Sequence, residues 1–180
     1  MNKKILIFAI ILGLAALFSC ETMDEPEMET TSTFPLNGEY WVTYSQGGTQ
    51  IVGYNLLTLT NTAADDGKHI LIKEPVLMVN EAGEMAPVVA NANMDNLTFN
   101  VQGFEYPYND TSIVRLDISD GKFWEDKYTT AAGNKTDSIY MNVTFNELAV
   151  DTNGNVIDTA YSGTFEISGY KRTGWPDDDH

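Results

Sequence analysis

The chain has 180 residues, 43% of them apolar and 11% aromatic, with 26 acidic against 10 basic side chains and a formal net charge of −16. That much apolar surface excludes an intrinsically disordered chain, and the excess of acid repels phosphates and so argues against a nucleic-acid partner. Cys20 is the only cysteine, so no intramolecular disulfide holds the fold.

Lys3 and Lys4 open the chain, and Ile5 to Phe18 is a run interrupted only by Gly13 in its apolar character. As a helix rising about 1.5 Å per residue it reaches roughly 21 Å, short of a hydrocarbon core of about 30 Å. Residues 1–19 therefore read as a signal peptide and not as a membrane span. Leu17-Phe18-Ser19-Cys20 resembles the lipobox of bacterial lipoproteins, which implies cleavage before Cys20 and lipidation of its thiol. Two or three acyl chains, at about 0.8 kcal/mol per buried CH₂, make such an anchor stable. Residues 20–35 lack hydrophobic period and are rich in Glu, Asp, Thr, Met and Pro, the composition of a flexible tether. Their cluster of Glu21, Asp24, Glu25, Glu27 and Glu29 fits a solvated linker, and it also resembles the acidic export signal of surface lipoproteins of gut Gram-negative bacteria. The expected location is the outer membrane, lipid-anchored and exposed at the cell surface.

Residues 36–180 read as one domain of strands and turns. The runs Glu39 to Ser45, Val52 to Thr62, His69 to Lys73, Val76 to Val79, Leu97 to Gln102, Ser112 to Asp120, Lys122 to Tyr128, Ser138 to Glu147 and Ala160 to Lys171 are rich in β-branched and aromatic residues. Ile139, Met141, Val143 and Phe145 share one parity, as do Tyr161, Gly163, Phe165, Ile167 and Gly169, which is the mark of a sheet with one dry face. Asp65-Asp66-Gly67, Asp120-Gly121 and Asn153-Gly154 are turn sequences, and Glu81 to Met94 is the least patterned piece, expected as a long loop. Eight or nine short strands with tight turns point to an all-β fold, an up-and-down barrel or a sandwich.

The run Ser112 to Tyr128 is the most informative. A two-residue Asp120-Gly121 turn pairs Leu116 with Glu125 and Arg115 with Asp126, and it puts Glu125 and Lys127 beside Val114, Leu116, Ile118 and Phe123. A charge in a dry core is costly, so either the strand bulges past Trp124 or these groups line a wet cavity. The cavity alternative makes Leu116, Phe123, Glu125 and Phe145 a ligand pocket, with apolar walls and Glu125 orienting the ligand's polar end.

Gly38-Glu39-Tyr40-Trp41 at the first strand and Tyr170-Lys171-Arg172 at the last resemble the ends of calycins, in which a tryptophan of the first strand is covered by an arginine of the last. The tryptophan comes one residue late here, so either Tyr40 takes its place or the strand bulges. "LNGEYWVTY", "DGKFW" and "SGYKRTGWPDDDH" resemble the lipid-binding putative hydrolases, a family of bacterial lipoproteins, across most of residues 36–180. The resemblance implies a lipocalin-like barrel and a small apolar or amphipathic ligand, and it names no catalytic residue.

A catalytic constellation does not assemble from motifs. His69 and His180 are the only histidines, and neither a Gly-x-Ser-x-Gly elbow nor a His-Glu-x-x-His pair is present. A lipid or ester hydrolase using His69 as base needs a serine brought beside it by the fold. The third alternative is a surface accessory or adhesion lipoprotein without a cavity. Asp151 to Asn155 departs from a Ca²⁺ loop in its glycine position and lacks the distal glutamate, so a hairpin turn explains it. The Asp177 to His180 tail reads as a frayed acidic terminus, and no metal or cofactor is expected.

Overall fold

The computed structural model describes residues 30–180, so the leader, Cys20 and most of the tether lie outside the described residues. The eight strands are β1 Gly38–Gln46, β2 Thr49–Asn61, β3 His69–Lys73, β4 Val88–Asn93, β5 Thr98–Asn109, β6 Ser112–Thr129, β7 Lys135–Val150 and β8 Val156–Lys171. Each pairs antiparallel with the next and β8 pairs with β1, so the sheet closes into an up-and-down barrel. Closure satisfies the strand edges where β1 and β8 meet, which an open sheet would leave available for pairing with other chains.

Alternation decides which side chains fill the barrel. Tyr40, Val42 and Tyr44 of β1, Leu57 and Leu59 of β2, Ile139, Met141 and Val143 of β7, and Phe165 and Ile167 of β8 all point inward and are buried. The inward parity anticipated for β7 and β8 therefore holds through their middles. It lapses toward the β7–β8 hairpin, where Phe145 is half-buried and Tyr161 exposed. Gly169 is there for space: a Cβ on it would stand 1.9 Å from the carbonyl oxygen of Trp41 on the neighbouring strand.

The lower end of the barrel, at Gly38 and Lys171, is closed from the N-terminal side. A 3₁₀ turn, Phe34–Leu36, places fully buried Leu36 under the core, and the Tyr40 hydroxyl donates to the Leu36 carbonyl at 2.7 Å. Ser32 donates through its hydroxyl to the Asp65 carboxylate at 2.7 Å, and Thr33 is buried. Residues 32–35, which composition assigns to the tether, are thus part of the barrel's closure. The upper end is closed by the segment between β3 and β4, whose Leu77 and Met78 are buried in the core.

Three of the expected elements come out differently. Val76 to Val79 forms no strand and contributes one isolated bridge, Val79 to Met85, inside the upper loop. The supposed loop Glu81 to Met94 contains β4, whose Val88 and Ala90 are fully buried; alanine and asparagine carry too little β signal for its alternation to stand out. Ser112 to Asp120 and Lys122 to Tyr128 are one strand of 18 residues, so Asp120-Gly121 makes no hairpin. The turn chemistry is real but serves a bulge: Asp120 has φ 55°, and the pairing with β7 slips between Ser119 and Lys122. A Cβ on Gly121 would lie 2.3 Å from the Phe99 carbonyl oxygen. A strand this long has to bend to follow a small barrel, and bulges supply the bend.

The C-terminal tail is not frayed. A second 3₁₀ turn, Pro176–Asp178, brings Asp178 into contact with the Asn134 amide at 2.9 Å and the Thr173 hydroxyl at 2.9 Å. Arg172 holds Asp179 through two nitrogens, both at 2.8 Å, reaches Glu39 at 2.9 Å, and lies 5.9 Å over the Trp41 ring. The calycin-like arginine clamp is present, and it falls on Trp41, while Tyr40 turns into the core. The Arg172 hydrogen bond holds the Asp179 carboxyl down at about 2.

Candidate functional site

The four residues proposed for an interior pocket separate. Leu116 is fully buried and pairs across the sheet with Phe145, and Phe104 on β5 pairs with Leu116 from the other side, so these three form one inward-facing group. Phe123 is buried farther along β6, at the lower end, where its ring meets Tyr40 edge-on at 6.3 Å and Lys171 Nζ at 5.8 Å. Glu125 is exposed and cannot orient a ligand inside the barrel. Of the two alternatives for this stretch, a bulge past Trp124 and a wet cavity, the bulge is the one that forms. Between Trp124, opposite Ser138, and Tyr128, opposite Thr136, β6 carries three residues against one on β7. Asp126, at φ 50°, donates its N–H to Asp137 at 3.1 Å, and Glu125 and Lys127 swing to solvent on this bulge. Arg115 correspondingly pairs with Glu105 on β5 at 2.6 Å and not with Asp126.

A buried carboxyl does face the core, but it belongs to Glu74. It follows β3 directly, has no solvent exposure, and accepts a hydrogen bond from the hydroxyl of buried Tyr44. The following residue, Pro75, has no N–H to offer, so the carboxylate takes the next two backbone donors, Val76 at 2.7 Å and Leu77 at 2.6 Å. From the opposite wall the Tyr106 hydroxyl donates to the Leu77 carbonyl at 2.6 Å. Burial raises the Glu74 carboxyl above the usual range despite these donors, and it raises the Tyr44 and Tyr106 hydroxyls as well, with the nearby Glu74 charge adding to both. The loop beyond folds on itself, with Ala86 donating to Met78 at 2.8 Å, and is tied to β5 through the Glu81 N–H and the Tyr108 carbonyl at 3.0 Å.

The result is a polar pin with an apolar plug. Glu74, Tyr44 and Tyr106 hold Leu77 and Met78 in the upper mouth of a barrel otherwise walled by apolar side chains. Sequence reasoning passed over Glu74. The available signal was a glutamate at the end of a strand followed directly by Pro-Val-Leu-Met, a charged residue with nowhere but an apolar cap to go.

His69 lies at the lower end, partly exposed, with Nδ1 2.6 Å from Asp66 Oδ2. Asp66 also accepts the backbone N–H groups of Lys68 and His69, so the pair belongs to the β2–β3 turn, and those bonds lower the Asp66 carboxyl. Among the described residues no serine hydroxyl hydrogen-bonds to His69. Asp151 spends its carboxylate on Asn153 and Asn155, the arrangement of a hairpin turn. No group of three metal-ligating side chains occurs among the described residues.

The family of lipid-binding putative hydrolases matches residues 25–176, a span that includes all eight strands and the loop from Glu74. The chain belongs to that family. No curated protein matches it. Membership in a lipid-binding family suggests a hydrophobic ligand, and the only charged side chain buried in the barrel interior beside the apolar walls, among the described residues, is Glu74.

Proposed function

We propose that this protein is a lipoprotein anchored through Cys20 to the outer membrane and exposed at the cell surface, and that its barrel binds a small apolar or amphipathic, lipid-like ligand in the upper interior. The carrying observation is the buried Glu74 carboxyl with the Tyr44 and Tyr106 hydroxyls beneath an apolar plug. A few convergent polar groups among otherwise apolar walls are what fix the orientation of an amphipathic molecule. Burial favours the protonated form of Glu74, which can both donate and accept and in that form could exchange the loop's N–H groups for a ligand's carboxyl or ester oxygens. Leu77 and Met78 then leave the mouth, and the apolar body lies against Leu116, Phe104 and Phe145. The reading takes its ligand class from the family and its anchor from the resemblance at Leu17 to Cys20.

Native mass spectrometry of the mature chain, produced with Cys20→Ser so that no lipid is attached covalently, tests the ligand. A non-covalent lipid adduct is expected, and Leu116→Trp, which crowds the core where the acyl body would lie, should remove it. Absence of any adduct, even after incubation with oleic acid, overturns the reading. Detergent partitioning tests the anchor separately: the wild-type chain should enter the detergent phase and the Cys20→Ser chain should remain in the aqueous one.

A further inference from the structure

The outer wall of the barrel carries a second candidate site with a different chemistry. Two rows of side chains cross it through paired strands: Trp41, Tyr170, Ser138 and Trp124 in one, and Thr43, Ser168, Tyr140 and Lys122 in the next. Where small residues follow aromatic ones the surface sinks into a cleft of about 360 Å³, within the range of ligand clefts of about 300–1,000 Å³. Thr43, Ser138, Ser168 and Gly169 give it a low floor, and Tyr54, Tyr128, Tyr170, Trp124 and Tyr140 its walls. None of the residues lining it is charged, although 20% of the chain is.

The walls are held in place before any ligand arrives. Tyr128 stacks on Tyr170 at 4.3 Å with 6° between the planes, and Tyr54 stacks on His180 at 3.6 Å with 2°. Tyr54 also meets Tyr170 edge-on at 6.1 Å. The Tyr170 hydroxyl is taken by His180 and the Asp178 carbonyl, so that ring serves only as wall and packing. In contrast, the hydroxyls of Tyr54, Tyr128, Ser138 and Ser168 and the Trp124 indole N–H make no hydrogen bond to another side chain or backbone group among the described residues. Tyr54, Trp124 and Tyr128 keep 43%, 36% and 37% of their surface exposed.

Flat aromatic faces alternating with unused hydroxyls, and no charge, match one kind of molecule better than others. A sugar ring has an apolar C–H face that stacks on an aromatic ring and an equatorial rim of hydroxyls that both donate and accept. An acyl chain would leave those polar groups unsatisfied and one side of itself in water, and an acidic ligand finds no cation on the floor, because Lys122 Nζ at the rim is engaged with the Trp124 ring at 5.6 Å. The geometry points to a binding site for neutral saccharide on the outer face of the barrel, with Trp124, Tyr128 and Tyr54 as stacking surfaces and Ser138 and Ser168 as hydrogen-bonding partners. The site is separate from the barrel interior and does not depend on lipid binding there.

The experiment uses the mature chain with Cys20→Ser on an array of neutral and acidic oligosaccharides, with hits measured by calorimetry and by Trp124 fluorescence. Binding to neutral glycans is expected, reduced at least tenfold by Trp124→Ala and by Ser168→Val and unchanged by Glu74→Gln in the interior. Two sources of sugar are separated by vesicles: phosphatidylcholine containing digalactosyl diacylglycerol should bind if a glycolipid headgroup is accepted, while soluble oligosaccharide alone marks a free glycan, and either supports the site. No binding to any neutral glycan at millimolar concentration overturns the proposal. So does binding that survives both outer-face variants, or equal binding to plain phosphatidylcholine vesicles. Ser168→Val keeps the inference testable should Trp124→Ala disturb the fold.

Discussion

The two ends of this barrel are closed by different physics. At the lower end a segment contiguous with β1 supplies Leu36, Asp178 is buried on Asn134 and Thr173 outside the barrel interior, and Arg172, Asp179, Glu39 and Trp41 form a clamp in contact with water. At the upper end the closing segment comes between two short strands, β3 and β4, and is held by a carboxyl with no solvent exposure. An exposed clamp contributes little stability, but losing one member of it strands no buried group. A buried pin is the reverse: removing one partner leaves a desolvated carboxyl behind. The lower end is therefore built as permanent structure, and the upper end is where a modest change in hydrogen bonding can open the interior.

The largest expected effect falls on the lower half. Gly169→Ala drives a methyl into the Trp41 carbonyl, a backbone group that cannot rotate away, and should cost about 3 kcal/mol or more in a urea melt. A midpoint near wild type would mean that β1 and β8 can separate there, and the lower end would not be the rigid one.

Next in size is Tyr44→Phe, which takes a donor from buried Glu74 and should cost about 1–3 kcal/mol. Its sharper signature is local: amide exchange should accelerate at Val76, Leu77 and Met78 while Ile139 and Met141 keep their protection. Uniform acceleration across the barrel would show that the upper cap is not a separate unit.

The pH dependence distinguishes the ends further. Because the folded-state carboxyl of Glu74 titrates above its unfolded value, the folded state binds this proton more tightly. Its contribution is fully present below the ordinary glutamate range, near 4.5, and is lost as pH rises through the elevated folded value. Wild type should therefore lose stability relative to Glu74→Gln as pH rises above about 4.5, the ordinary value, and through the elevated folded value. A difference between the two proteins that stays constant with pH would place the charge of Glu74 outside the core.

The smallest effect is assigned to Arg172→Ala. It removes the stacking on Trp41 and the contacts to Asp179 and Glu39, all at the surface, and should lower the urea midpoint slightly and less than Tyr44→Phe does. A larger drop than that of Tyr44→Phe would invert the comparison between the ends.

What the residues determined by themselves were the quantities that depend on near neighbours in the chain. Alternation in Ile139 to Val143 and in Phe165 to Gly169 fixed the inner faces of β7 and β8, because side-chain period 2 is a local property of extended backbone. The lipid-binding family was legible for the same reason, in strand and turn signatures at Leu36 to Tyr44, Asp120 to Trp124 and Ser168 to His180. Tertiary structure decided whatever depends on which strand lies alongside. Asp120-Gly121 carries the positive φ of a turn and the close approach of a bulge, and only the pairing of β6 with β5 and β7 on either side selects the bulge. A second bulge, between Trp124 and Tyr128, moved Glu125 to solvent. Glu74 became the interior carboxyl because Tyr44, 30 residues earlier, and Tyr106, beyond β4, converge on the loop it begins, and no local pattern encodes a convergence of three separate strands.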